Sequence, residues 1–123
     1  MDLIRATSDI VRVVITGAST NITCSRALML ADSAGPPALK AIPNFGPLAP
    51  LSAAGTFTLI DTTALTSGDN YNLKGCRVFN ADTVNSCTAR VEHQNAAGTA
   101  ILAECVLLPR ERLELNEIGQ WVH

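Results

Sequence analysis

Apolar and polar residues alternate through much of this chain, with the period of two that a half-buried β-strand requires. Ile10-Val11-Arg12-Val13-Val14-Ile15 is β-branched and partly alternating, a strand by composition. Thr16-Gly17-Ala18-Ser19 supplies a turn. Ile22, Cys24, Arg26, Leu28 and Leu30 then share one face of a long strand, with Asn21, Thr23, Ser25, Ala27 and Met29 on the other. One Arg in that apolar row points to an edge or an interface. Gly55–Asp61 places Phe57 and Leu59 on one face and Thr56, Thr58 and Ile60 opposite. Asp61–Asn70 is turn-rich, and Tyr71–Asn80 reads as the next strand, with Gly75 predicting a bulge.

The last fifty residues are strand after strand: Cys76–Asn80, Ser86–His93, Thr99–Leu107, Arg112–Leu115 and Gln120–His123. Turn residues separate them, so Asn80–Asn85, Gln94–Gly98 and Pro109–Glu111 are each expected to close a hairpin. Between Ser33 and Ala54 the pattern dissolves. Pro36, Pro37, Pro43, Pro47 and Pro50 remove backbone donors, which excludes a helix or a central strand there. That stretch still carries Leu39, Ile42, Phe45, Leu48 and Leu51. Two readings stand: a loop draped over the core at about 34–52, or an arm reaching a neighbouring subunit. The pattern predicts an all-β chain of about eight strands. It would form a single β-sandwich domain over 1–123, jelly-roll-like, mostly up-and-down, with one long Pro-rich loop.

Composition narrows the function classes. A chain of 123 residues is one domain's worth of core. Net charge is −2, which offers no electrostatic grip on nucleic acid or anionic lipid. No apolar run reaches a membrane span, and the charged start, Met1-Asp-Leu-Ile-Arg5, lacks the apolar core of a signal peptide. Synthesis in a cytoplasm is therefore expected. Charged residues make up 16%, against about a quarter in ordinary soluble domains, which suggests a surface covered by a partner or by copies of itself.

No catalytic set can be assembled. Ser-His-Asp spacing, a phosphate-cradling glycine loop and a helix-borne carboxylate pair are all missing, so no enzyme, cofactor or metal is expected. His93 and His123 read as ordinary surface polarity. Asp61, Asp69 and Asp82 fall in turns, where Asp hydrogen-bonds locally. Cys24, Cys76, Cys87 and Cys105 match no zinc or redox spacing. They are either small buried hydrophobes or disulfide formers, some between chains. Cys76 and Cys87 flank the expected Asn80–Asn85 hairpin, which would make them neighbours. Arg110, Glu111, Arg112, Glu114 and Glu117 alternate in sign, a solvated surface or an intersubunit rim. Trp121, the lone tryptophan, either caps the core or packs on a partner.

Several of these segments resemble one family. Val78-Phe79-Asn80-Ala81-Asp82-Thr83 is similar to its "V-Y-N-A-D-T" strand end and turn. Ala89-Arg90-Val91-Glu92-His93-Gln94-Asn95 and Gly98-Thr99 continue the match. Leu107-Leu108-Pro109-Arg110-Glu111-Arg112-Leu113-Glu114 is similar to "L-x-P-G-E-R-L-E", with Arg110 in place of the Gly. Gly119-Gln120-Trp121 is similar to a closing "G-x-W", and Leu3–Asp9 followed by Val11-Arg12-Val13 to the opening strand. The family is that of small β-rich virion proteins of tailed bacteriophages, of head-decoration, head-fibre or minor capsid type. The resemblance implies a capsid-exterior protein that decorates or staples the shell. Its partners would be the major capsid protein and other virion proteins, and it would be a homo-oligomer. Candidate interface residues are Leu39, Ile42, Phe45, Leu48, Arg110, Arg112 and Trp121. A neck, collar or tail fibre-base component is the alternative, and an extracellular carbohydrate-binding or adhesion module the second. The low aromatic content, 4%, argues against that module.

Overall fold

The computed structural model describes residues 9–32, 38–39, 45–61, 69–116 and 118–123. Its strands are β1 (Ile10–Gly17), β2 (Ile22–Asp32), β3 (Ala38–Leu39), β4 (Phe45–Pro47), β5 (Gly55–Asp61), β6 (Asp69–Asn80), β7 (Cys87–Asn95), β8 (Gly98–Leu107), β9 (Arg112–Leu115) and β10 (Trp121–Val122). One antiparallel sheet runs β5-β1-β7-β8. The other runs β10-β9-β6-β2-β3, with β4 also paired to β2. No helix occurs among the described residues.

The inward faces follow from alternation. Val11, Val13 and Ile15 of β1 meet Ala89 and Val91 of β7 in the first sheet. Ile22, Cys24, Val78 and Leu113 line the second, and all belong to one buried apolar cluster. The architecture is therefore sandwich-like, two sheets around a shared core. Ile60 departs from the expected alternation. A register shift opposite Val11 and Arg12 makes Leu59 an extra residue, so Ile60 pairs with Val11 and is buried with Leu59 and Phe57. The irregularity expected at Gly75 is present one residue earlier: Ala27 pairs with Gly75 and Leu28 with Leu73, leaving Lys74 as the extra residue.

Only one of the three expected hairpins forms. Asn95 and Gly98 close β7 onto β8, where Gly98 takes a φ of 140° that L side chains rarely adopt. The Asn80–Asn85 and Pro109–Glu111 segments instead cross from one sheet to the other, because β6 and β9 lie in the second sheet and β7 and β8 in the first. The mostly up-and-down order is corrected accordingly. The side chains explain the first crossing. Asn80 and Asp82 satisfy groups on distant strands, where a hairpin would satisfy its own ends.

The Pro-rich stretch is partly ordered against β2. Phe45, Gly46 and Pro47 pair with Ala27, Arg26 and Ser25. The Leu48 amide donates to the Cys24 carbonyl at 2.8 Å, and Leu51 exchanges bonds with Ile22. Leu48 and Leu51 both pack on the core, so this part drapes over its own sheet. Leu39 pairs through its backbone with Ala31. Ile42 and the Met1–Ser8 portion of the opening segment lie outside the described residues, as does Glu117.

Candidate interaction surface

Each sheet has two edges, and an edge strand presents unpaired backbone donors and acceptors to any passing chain. Among the described residues, three of the four edges carry at least partial cover. Along β2 lie β3 and β4, the latter ending in Pro47. Along β9, β10 covers Leu115 and Glu114. At β5 the guard is a side chain. Arg26 reaches across from β2, and its Nη1 donates to the carbonyls of Thr58 at 2.8 Å and Leu59 at 2.6 Å. The Arg in the apolar row is thus a clasp between the sheets.

The fourth edge is β8, ten residues long, and among the described residues no strand pairs with its outer side. Its exposed residues are largely apolar: Ile101 is 59% accessible, Val106 53%, Leu102 37%, and Leu108 just beyond it 54%. Leu102 is itself the extra residue of a bulge, between Ala103 opposite Val91 and Ile101 opposite Glu92. Among the described residues, a bulge and Glu104 are the edge protections on the strand.

Behind this edge the outer face of the sheet is held by charge. Arg12 sits opposite Glu92, and Arg90 opposite Glu104. Glu92, almost wholly buried, lies 3.7 Å from Arg12 and 3.6 Å from Arg90, while Arg90 is 3.9 Å from Glu104. These cross-strand pairs keep the sheet in register more than they add stability.

Beneath β8, a groove of about 580 Å³ runs between the two sheets. Leu102 to Cys105 form one wall, and Leu113, Trp121 and His123 are on the other side. Trp121 packs partly on the core, so it caps the sandwich and still borders the groove. Cys105 is half-buried there. Burial raises its thiol pKa, and Glu111 and Glu104 raise it further by their charge.

The thiols fall into two neighbourhoods, and Cys76 and Cys87 do not share one. Cys24 and Cys76 face each other in the second sheet with sulfurs 3.9 Å apart. Cys87 lies diagonal to Cys105 on the β7–β8 ladder. Burial first, then the charge of Cys105 and of Asp82, raises the Cys87 thiol. All four are free, and Cys24, Cys76 and Cys87 are buried, which leaves Cys105 as the most accessible to another chain.

Of the acidic and basic cluster after β8, Arg110 and Arg112 are exposed and Glu111 and Glu114 half-buried. Glu114 bonds Arg77 at 2.7 Å and Arg112 at 3.2 Å, and Glu111 meets His123 at 3.1 Å. Arg110 is exposed with a φ of 70°, the left-handed conformation that a glycine would adopt without cost. His93 is tied to Asp9 at 3.3 Å, so it is a partly buried link rather than free surface polarity.

The polar cluster at one end of the sandwich has no counterpart among the sequence expectations. Asn80, fully buried, accepts from Ser19 Oγ at 2.7 Å and donates to the carbonyls of Asn85 at 2.9 Å and Leu107 at 3.0 Å. Its own backbone bonds Arg110 and Glu111. Asp82 accepts from the Thr20 amide at 2.9 Å and from the Val84 and Asn85 amides at 2.8 and 3.0 Å. The local turn role expected for Asp82 is present, and the long-range bond to Thr20 is added to it. Asp69, by contrast, opens β6. Among the described residues no three His, Cys, Asp or Glu side chains converge as a metal site. No family model, curated protein or solved structure matches this chain.

Proposed function

We propose that this chain is a structural protein of a tailed-phage virion that decorates or staples the capsid shell. The observation that carries the reading is the unguarded β8 edge, with Ile101, Leu102, Val106 and Leu108 exposed along it. Exposed apolar residues on a long open strand favour pairing with another chain. The phage setting rests on the sequence resemblance. The segments that resemble the family also have structural work here: Asn80 and Asp82 knot three connections together, and Arg110 keeps the turn of the Gly it replaces.

Part of the proposal is a jelly-roll-like connectivity. The steps β1 to β2, β4 to β5, β5 to β6, β6 to β7 and β8 to β9 all pass between sheets, which supports it, while the β7–β8 hairpin is a local departure. The protein would act additively. Many copies, each burying a modest apolar area across subunit junctions, raise the free energy of shell rupture. The partners are the major capsid protein and further copies of this chain, on the particle exterior. Of the proposed interface residues, Arg110 and Arg112 stay exposed, whereas Leu48 and Trp121 contribute part of their surface to the protein's own core.

Purified particles run on a gel, with the chain identified by peptide mass, test the reading. A copy number in the hundreds supports shell decoration. A fixed small ring count moves the protein to the neck or tail, and absence from the particle ends the virion proposal.

A further inference from the structure

Cys24 on β2 and Cys76 on β6 point the same way into the core, because their partners Val78 and Arg26 place them on one diagonal of the ladder. Their sulfurs are 3.9 Å apart in the free state. The two are diagonal rather than directly opposite, so closing the gap requires side-chain rotation together with a small approach of β2 and β6.

Cys76 keeps a 6% exposure, with its sulfur turned into the core beside Cys24. A surface cavity of about 350 Å³ is lined by Cys76, Arg26, Gly75, Ala27, Arg77 and Glu114. Arg26 lies beside Cys76 and favours its thiolate, although the Cys24 hydrogen bond and burial together raise the Cys76 thiol far more. With the sulfur turned inward and its thiolate disfavoured, oxidation proceeds through opening of the sheet and is slow.

We propose that Cys24 and Cys76 are an oxidisable pair that closes an intrachain disulfide across β2 and β6, with a small disulfide such as oxidised glutathione as the oxidant. Cys76 loses its proton and attacks one glutathione sulfur, and the other glutathione leaves as a thiolate. Cys24 then loses its proton and attacks the mixed disulfide, releasing the second glutathione. Two protein thiols become one disulfide, and the two electrons and two protons end on two glutathione thiols. The bond spans 52 residues of sequence and locks the centre of the second sheet. The inference does not depend on the virion reading, and it assigns these two thiols to an internal bond rather than to a staple between chains.

The full-length chain is reduced, then incubated with oxidised glutathione at mildly alkaline pH and mapped without reductant. Thiol titration in denaturant is expected to fall from four to two. The peptides carrying Cys24 and Cys76 are expected to be joined, and the thermal midpoint to rise by about 10 °C. In Cys24→Ser the reaction stops at a glutathione adduct on Cys76. Four titratable thiols after prolonged oxidation, a bond joining any other pair, or a wild-type chain that retains the adduct would overturn the proposal.

Discussion

Asn80 carries more structural information than any other residue in the chain. Its side chain and backbone hold the β1–β2, β6–β7 and β8–β9 connections at one end of the sandwich. Asn80→Ala leaves Ser19 and the Leu107 and Asn85 carbonyls without their side-chain partner, and the expected loss is about 2–3 kcal/mol, measurable by urea unfolding. Asp82 adds pH dependence at the same end. Backbone amides, those of Thr20 first and then Asn85 and Val84, hold its carboxyl well below the usual 3.8, against a smaller opposing effect of burial. A depressed folded-state value means that its stabilisation is complete above the unfolded value and is lost as pH falls below it. Stability should therefore drop through the acid range below about pH 4, and Asp82→Asn should flatten that limb of a pH-dependent melting series. Arg110 gives the opposite sign. With a φ of 70° at an exposed position, Arg110→Gly is expected to raise stability by about 0.5–1 kcal/mol in the same unfolding assay.

At the scale of elements, the longer strands were legible in the sequence, while the short β3 and β4 in the Pro-rich stretch and the strands' partners were not. β-branched alternation marks β1, β2 and β5 because each has one buried face. Turn chemistry does not distinguish a hairpin from a crossing. Asn, Asp and Pro serve both, and only the far partners of Asn80 and Asp82 decide for a crossing at Asn80–Asn85. The Asn95–Gly98 hairpin was legible since its turn residues bond each other locally, as the Ala97 amide does to Asn95 Oδ1 at 2.9 Å. The interaction edge was invisible for a related reason. Exposed Ile101, Leu102 and Val106 look like core residues until the strand order places them at an edge. Arg26, in contrast, announced itself as a charge in an apolar row. Arg26→Met keeps the stem that crosses the sheets but removes the donors to Thr58 and Leu59. Hydrogen exchange is expected to show β5 opening more readily, with β7 unchanged.

The whole molecule combines a guarded core with one unguarded side. Its sheets share a single buried cluster, three edges are at least partly covered among the described residues, and charged residues are few at 16%. That distribution suits a protein whose β8 edge is completed by another chain, which under the proposed reading is a shell subunit. Substitution on β8 separates association from folding, since Val106 and Ile101 are more than half exposed and contribute little to the core. Ile101→Lys with Val106→Lys is expected to change stability by less than about 1 kcal/mol. The most direct test is co-sedimentation of the recombinant chain with phage shells that lack it, wild type beside this double variant. The account expects the wild type to pellet with the shells in a fixed, saturable ratio and the variant to stay in the supernatant. A wild-type chain that never pellets, or a variant that pellets equally well, would contradict it.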